Sequence, residues 1–191
     1  MTRHRLEAFS DGVIAILITI MVLQLKVPDG TNWSALVPMV PVLLDYVLSF
    51  IFLGIYWNNH HHMLHTADRI NGKILWANLH LLFWLSLIPF VTSWMGQNNA
   101  APLPTALYGV VLLMAAVAYR ILQQMIVLHQ GRNSKLREAI GNDSKGKLST
   151  ALYVISIPLA FIHPWIAVGI FILVAMMWLI PDRRIEAKVG G

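Results

Sequence analysis

The sequence contains no cysteine, and this absence limits the chemistry that the chain can perform. Disulfide bonds, cysteine-linked haem and cysteine-based metal sites are all excluded for these 191 residues. The common enzyme motifs are lacking as well: there is no nucleophile elbow, no His-Glu-x-x-His and no glycine-rich phosphate loop. We therefore expect a protein that is not an enzyme and that needs no cofactor.

Charged residues are also scarce. They make up 12% of the chain, against about 25% in an average soluble domain. Apolar residues make up 57%, and the mean hydropathy is +0.64. A single soluble core could not bury this much apolar surface, which indicates an integral membrane protein in a lipid bilayer. The net charge of +5 does not indicate nucleic-acid binding, because the basic residues lie between apolar segments.

Six apolar segments predict an all-α membrane protein with six transmembrane helices, and we expect residues 1–191 to form a single domain. The segments cover residues 7–27, 34–57, 73–95, 104–129, 148–162 and 165–181. His163-Pro164 predicts a tight turn between the last two segments, and Pro181-Asp182 ends the sixth. No internal repeat is visible.

The basic residues are concentrated in alternate loops. Twelve of the 14 lysines and arginines precede the first segment, follow the sixth, or lie between segments two and three or four and five. The opposite loops contain only Lys26, and Arg120 lies inside the fourth segment. No cleavage site follows the first segment, so we expect it to be retained. By the positive-inside rule, the pattern predicts a multi-pass protein of the cell inner (plasma) membrane with both termini cytoplasmic.

The first segment combines a short apolar run with an acidic residue. The mainly apolar part, residues 12–25, is 14 residues long, whereas a lipid-facing helix needs about 20. The span becomes long enough only if it includes Phe9, Ser10 and Asp11, which places a carboxylate at membrane depth or at the inner edge. An ionisable group in that position usually faces protein or water rather than lipid.

One stripe of the same segment has two possible interpretations. Ile16, Thr19, Ile20 and Leu23 recur at spacings of three and four, so they share one face of a helix. The stripe is either a packing face between helices or the wall of a narrow pore.

The motif Arg5-x-x-x-Phe9-Ser10-Asp11 resembles the signature of the transmembrane protein 175 family of potassium channels, which are found in lysosomes and in bacteria. Supporting matches over about residues 3–95 are Trp57-x-x-His60-His61, Asn78-Leu79, Ile88-Pro89-Phe90 and Thr92. The resemblance implies a passive cation channel that prefers K⁺ and conducts Na⁺ less favourably. Some family members carry two six-helix repeats and pair as dimers; this chain carries one, which implies a homotetramer with the first helix lining a central pore.

The resemblance also implies roles for individual residues. It places the constriction at Ile16 and a layer of hydroxyl oxygens at Thr19, five and eight residues after Asp11, with Ile20 and Leu23 as further apolar rings. It implies a network that holds the pore helix from behind, with the members Arg5, Phe9, Ser10, Asp11, Trp57, His60 or His61, and Asn78. The filter sequence Thr-Val-Gly-Tyr-Gly is absent, so we expect apolar rings with modest selectivity.

Three ionisable residues in the apolar segments have open roles. Asp11 lies six residues after Arg5, so its donor is expected to be a histidine of the second segment, Arg120, or Arg5 of a neighbouring subunit. Arg120 either extends to the cytoplasmic face or pairs with an acidic group. Asp45 either attracts cations at an outer vestibule or hydrogen-bonds a neighbouring helix.

Four histidines near the end of the second segment raise the hypothesis of a metal site. His61 and His65 are four residues apart and share a helical face. The only nearby acidic candidate is Asp68, and no complete ligand set is apparent. The sequence therefore favours a polar helix end at the cytoplasmic interface and no metal site; the histidines concerned are His60, His61, His62 and His65.

Two other classes of function compete with a channel. A proton- or ion-coupled secondary transporter would use Asp11, the histidines and Asp45 as a relay. Neither an inverted repeat nor a pair of broken segments is visible, which argues against a transporter. The second alternative is a membrane scaffold that transports nothing.

Overall fold

The computed structural model describes residues 2–67, 69–131, 136–137, 141 and 143–179, and this part of the chain contains helices and no β-strand. Two short 3₁₀ turns, Trp33–Ala35 and Val37–Met39, precede the second α-helix. The α-helices are α1 (Arg3–Val22), α2 (Val40–His65), α3 (Gly72–Ser86), α4 (Ile88–Gln97), α5 (Pro102–Gln130), α6 (Ser144–Ile162) and α7 (Pro164–Leu179).

Four helical stretches are long and apolar enough to cross a membrane: Trp33–His65, Gly72–Gln97, Pro102–Gln130 and Ser144–Ile162. Helix α7 is apolar but shorter, with 16 residues. Helix α1 does not join them, because its N-terminal half contains Arg3, Arg5, Glu7 and Asp11. The predicted all-α membrane protein is confirmed, while the count of six spans stays a prediction.

The first two helices differ from the predicted segments at both ends. Helix α1 begins four residues early and ends at Val22, so Leu23 is its C-terminal cap residue. Helix α2 begins only at Val40, with Pro41 in its first turn, where the missing N–H of proline breaks no helical hydrogen bond. It continues beyond Trp57 to His65, which places all four clustered histidines on a regular helix.

The third predicted segment is two helices. Helix α3 ends at Ser86 and α4 begins at Ile88, with Pro89 in the first turn of α4. Proline has no N–H to donate to the carbonyl of Leu85, so the helical hydrogen-bond pattern is interrupted here. The predicted turn at His163-Pro164 is confirmed: His163 is extended, and α7 begins at Pro164.

The helix ends beside the predicted cytoplasmic loops meet at one end of the bundle. The guanidinium of Arg3 donates to the carbonyl of His65 (3.0 Å), which joins the start of α1 to the end of α2. The side chain of Asn71, the cap of α3, lies 3.0 Å from the ring of His129 near the end of α5.

Several positions used in the sequence predictions lie outside the described residues, namely Asp68, Arg132, Lys135, Pro181, Asp182, Arg183, Arg184 and Lys188.

Helix α5 is the centre of the bundle, since it packs against α3, α4, α6 and α7. Helix α1 lies at the side and packs against α2, α3 and α4. One face of α1 is therefore covered by the rest of the subunit, and the other face is not.

The first helix and its polar anchoring network

Helix α1 has two faces of different character. The covered face repeats at spacings of three and four, as a helix packed along one side requires; it consists of Leu6, Glu7, Ser10, Ile14, Leu17 and Met21. On the uncovered face, Ile16 is 57% exposed, Ile20 39% and Leu23 79%. The predicted stripe is therefore not a packing face within the subunit.

Thr19 lies on the uncovered face between these residues. Its hydroxyl donates to the carbonyl of Ile16 (2.9 Å), one turn earlier in the same helix. The hydroxyl proton is thereby used, while the oxygen lone pairs remain available to a partner or an ion. Thr19 thus offers an acceptor oxygen on an otherwise apolar surface.

A buried chain of hydrogen bonds joins α1 to α2 and α3. The amide of Asn78 donates to Ser10 Oγ (2.9 Å), and Ser10 Oγ donates to the carbonyl of Leu6 (2.9 Å). On the other side of Asn78, His60 Nε2 lies 2.7 Å from the carbonyl oxygen Oδ1. This oxygen can only accept, so His60 donates from Nε2. Ser10, Asn78 and His60 are all fully buried, and buried polar groups paired in this way fix how the helices fit together.

Asp11 accepts a hydrogen bond from Trp57, which the resemblance placed in the same network but which was not among the donors expected for this carboxylate. The indole N–H of Trp57 donates to Asp11 Oδ1 (3.1 Å). The expectation of a histidine or Arg120 is wrong within the subunit, because α2 presents Trp57 at the level of Asp11. Arg120 instead pairs with Asp143, with Nε and Oδ2 3.7 Å apart, which is the ion-pair alternative.

Arg5 and Phe9 do not join this network within the subunit. Both side chains are exposed on α1. Within the described residues, Arg5 makes no hydrogen bond or ion pair. Two members of the sequence motif thus point outward, while Ser10 and Asp11 contact the rest of the subunit.

The histidines divide between two partners. His60 contacts Asn78, whereas His61 and His65 approach the carboxylate of Glu7. The sequence interpretation missed Glu7, which is buried at 8% exposure on the covered face of α1. The available signal was its spacing from Ser10 and Asp11, which puts it on their side of the helix.

Asp45 lies between α2 and α4 and is buried. Its Oδ2 is 3.2 Å from the position that a Cβ on Gly96 would occupy. One turn along α2, Ser49 Oγ hydrogen-bonds the hydroxyls of Thr92 (2.6 Å) and Tyr108 (2.8 Å). This position within one subunit disfavours an open outer vestibule for Asp45.

The all-helical bundle is similar to the structure of a solved channel. The structure matches the crystal structure of a lysosomal potassium-selective channel TMEM175 homolog from Chamaesiphon minutus with a TM-score of 0.83, at 27% identity, over 94% of this chain and 97% of that one. The class is thus a helical channel-type membrane protein.

The family follows from the sequence comparisons. A protein named potassium channel from Chryseobacterium sp. (strain P1-3) is 56% identical over 99% of this chain and 98% of its own length. Another, from Streptomyces collinus, is 36% identical over 62% of this chain and 61% of its own. The family model described as endosomal/lysosomal potassium channel TMEM175 matches residues 5–89. The chain belongs to this family, and the family predicted from the sequence is confirmed.

Proposed function

We propose that the chain is one subunit of a cation channel that prefers potassium and conducts it passively. Relatives at 56% and 36% identity are named potassium channels, and the matching crystal structure is of a potassium-selective channel. K⁺ is the permeant ion in this proposal, and Na⁺ passes less well.

The mechanism rests on one observation: α1 packs against its own subunit through its covered face, and its other face is uncovered. In a homotetramer, the four uncovered faces surround the axis. Ile16, Ile20 and Leu23 then form stacked apolar rings that close the pore by excluding water. The Thr19 hydroxyl oxygens add a ring of ligands beside the constriction. Because no ring is charged, discrimination between K⁺ and Na⁺ is modest.

The network has a mechanical role in this proposal. It holds each α1 against its own subunit. Hydrogen bonds on the side of α1 that faces away from the pore therefore determine the width of the pore, and these side chains do not contact the ion. Arg5 and Phe9, which lie outward, contact the neighbouring subunit. The proposed members are Ser10, Asp11, Trp57, His60, His61 and Asn78 within the subunit, and Arg5 and Phe9 at the contact with the neighbouring subunit.

The proposed membrane arrangement has six spans: the four long helical stretches together with α1 and α7. Both termini are cytoplasmic, in the cell inner membrane. The grouping of helix ends around Arg3, His65 and His129 supports this arrangement, since those ends adjoin the basic loops.

A flux assay in liposomes tests the function. A channel passes K⁺ down its gradient without a second ion. A coupled carrier moves K⁺ only together with a second ion, and a scaffold moves no K⁺ at all. We also expect the purified complex to have the mass of four 21.5 kDa chains. Strict coupling of K⁺ movement to protons, or a monomeric active protein, would refute the proposal.

A further inference from the structure

The strongest unexplained cluster is formed by Glu7, His61 and His65. Glu7 Oε1 lies 2.9 Å from His61 Nδ1 and 3.3 Å from His65 Nε2. The three ligand atoms all lie within 4.8 Å of one another. Glu7 comes from α1 and the two histidines from successive turns of α2, so the cluster bridges two helices.

The separations are those of atoms that share one metal ion. Zinc binds imidazole nitrogen and carboxylate oxygen at about 2.0–2.2 Å, so two ligands of a tetrahedral site lie about 3.3 Å apart. Two of the three separations, 2.9 and 3.3 Å, are close to this value. The third pair, formed by His61 and His65, lies within 4.8 Å, and the ring centroids of these two residues are 4.5 Å apart.

Hydrogen bonding alone does not account for the cluster. Glu7 Oε1 and His61 Nδ1 are buried atoms, and neither has a hydrogen-bond partner within the described residues, although they lie 2.9 Å apart. The contact is therefore close in distance but poorly directed. Buried polar atoms without partners are rare in folded proteins and call for an explanation. A cation between them would satisfy both atoms.

We propose that Glu7, His61 and His65 form a site for a divalent transition-metal ion of the Zn²⁺ type, with one ion per subunit. Two imidazoles and one carboxylate select Zn²⁺, Co²⁺ or Ni²⁺ over the oxygen-preferring Mg²⁺ and Ca²⁺. Three protein ligands leave a fourth position for water. His4, whose Nδ1 is 3.8 Å from the other Glu7 oxygen, is 79% exposed and is not a member of the site.

The bound ion would fasten α1 to α2 next to an existing link. Trp57 precedes His61 by one turn of α2, its ring stacks on that of His61 with centroids 6.2 Å apart, and it donates to Asp11. Metal and hydrogen bond thus hold two successive turns of α1. The site does not depend on ion conduction, so its test is independent of the proposed function.

Metal binding to the full-length, untagged and chelator-treated protein tests the inference. We expect Co²⁺ alone to give the intense visible absorption of a tetrahedral site, with one ion per chain. Zn²⁺ should abolish this absorption, and excess Ca²⁺ should not. Absence of a bound ion, or the pale spectrum of a fully hydrated ion, would overturn the proposal.

Variants identify the ligands. Glu7→Gln, His61→Ala and His65→Ala should each weaken Co²⁺ binding at least tenfold, whereas the matched control His62→Ala should leave it unchanged. Equal binding by all four variants would place the metal elsewhere and refute the site. If a variant does not assemble, X-ray absorption of the Zn²⁺-loaded wild type decides instead. A coordination shell with two imidazoles supports the site, and one without imidazole refutes it.

Discussion

At the scale of single residues, Ile16 and Leu17 are adjacent in sequence, but Ile16 lies on the uncovered face of α1 and Leu17 on the covered face. Ile16 is 57% exposed, and Leu17 is 6% exposed. We predict that Ile16→Ala raises K⁺ and Na⁺ flux together and lowers the preference between them, because a smaller ring admits water and partly hydrated ions. Single-channel recording measures both effects.

The matched control for this prediction is Leu17→Ala. It should leave conductance near wild type while lowering thermal stability. The loss of buried methyl groups should reduce the free energy of unfolding by about 2–5 kcal/mol. Thr19→Ala should weaken the preference for K⁺ without blocking flux, because only oxygen ligands are lost. A fall in flux on Ile16→Ala, together with loss of the complex, would show that the stripe packs between subunits and does not line a pore.

The hydrogen bond from Trp57 to Asp11 leads to a second prediction. Asp11→Ala should destabilise the subunit by about 1.5–3 kcal/mol, the usual range for a hydrogen bond to a charged group. Asp11→Asn keeps an acceptor oxygen and should cost less. Trp57→Phe should remove the stabilisation that Asp11 provides. Thermal unfolding of both single variants and of the double variant would reveal this as a coupling free energy between the two residues. A stable Asp11→Ala oligomer with altered selectivity would mean that Asp11 faces the ion.

Spacing in the sequence predicts which residues share a face of α1, but it does not predict which side chains of other helices they contact. Helical spacing alone grouped Ile16, Thr19 and Ile20, since spacing decides which residues share a face. It could not decide the donor to Asp11 or the acid beside His61 and His65. Both depend on the axial position of α2 relative to α1, and only three-dimensional packing determines that position.

At the scale of helices, α2 and α4 approach closely at Gly96. A Cβ at this position would lie 3.0 Å from Val42 Cα, which is backbone and cannot rotate away. We predict that Gly96→Ala separates the helices and destabilises the subunit by about 1–3 kcal/mol. Gly169→Ala is the control, since nothing lies within 4 Å of its Cβ position. It should be neutral or mildly stabilising because alanine favours helix. Thermal denaturation in detergent compares the two, and equal stability would contradict the close approach.

The helices also show which boundaries hydropathy can predict. It located the apolar centre of each element and the turn at His163-Pro164. It missed the start of α1 at Arg3, because a helix can extend through polar residues when other helices bind them. It also joined α3 and α4, since the break at Leu87 comes from the backbone chemistry of Pro89 and not from polarity.

At the scale of the whole molecule, the basic loops predict that the C-terminus and residues 97–100 face opposite sides of the membrane. Reporter fusions at Gly191 and within residues 97–100 should therefore label different compartments. The second site suits an insertion within residues 97–99, because these residues are exposed where α4 ends and the chain turns towards α5. Labelling of both sites from the same side would refute the six-span arrangement.

The divided surface of α1 has a consequence for how the protein is made. Asp11 makes it costly for α1 to enter a bilayer by itself, since a carboxylate adds up to about 2.5–3.5 kcal/mol, the value at the centre of a span, on the scale of translocon insertion. The group that relieves this cost, the indole N–H of Trp57, lies on α2, which leaves the ribosome later. The first helix is therefore expected to wait at the translocon and to enter the membrane together with its successors, so that folding precedes its insertion.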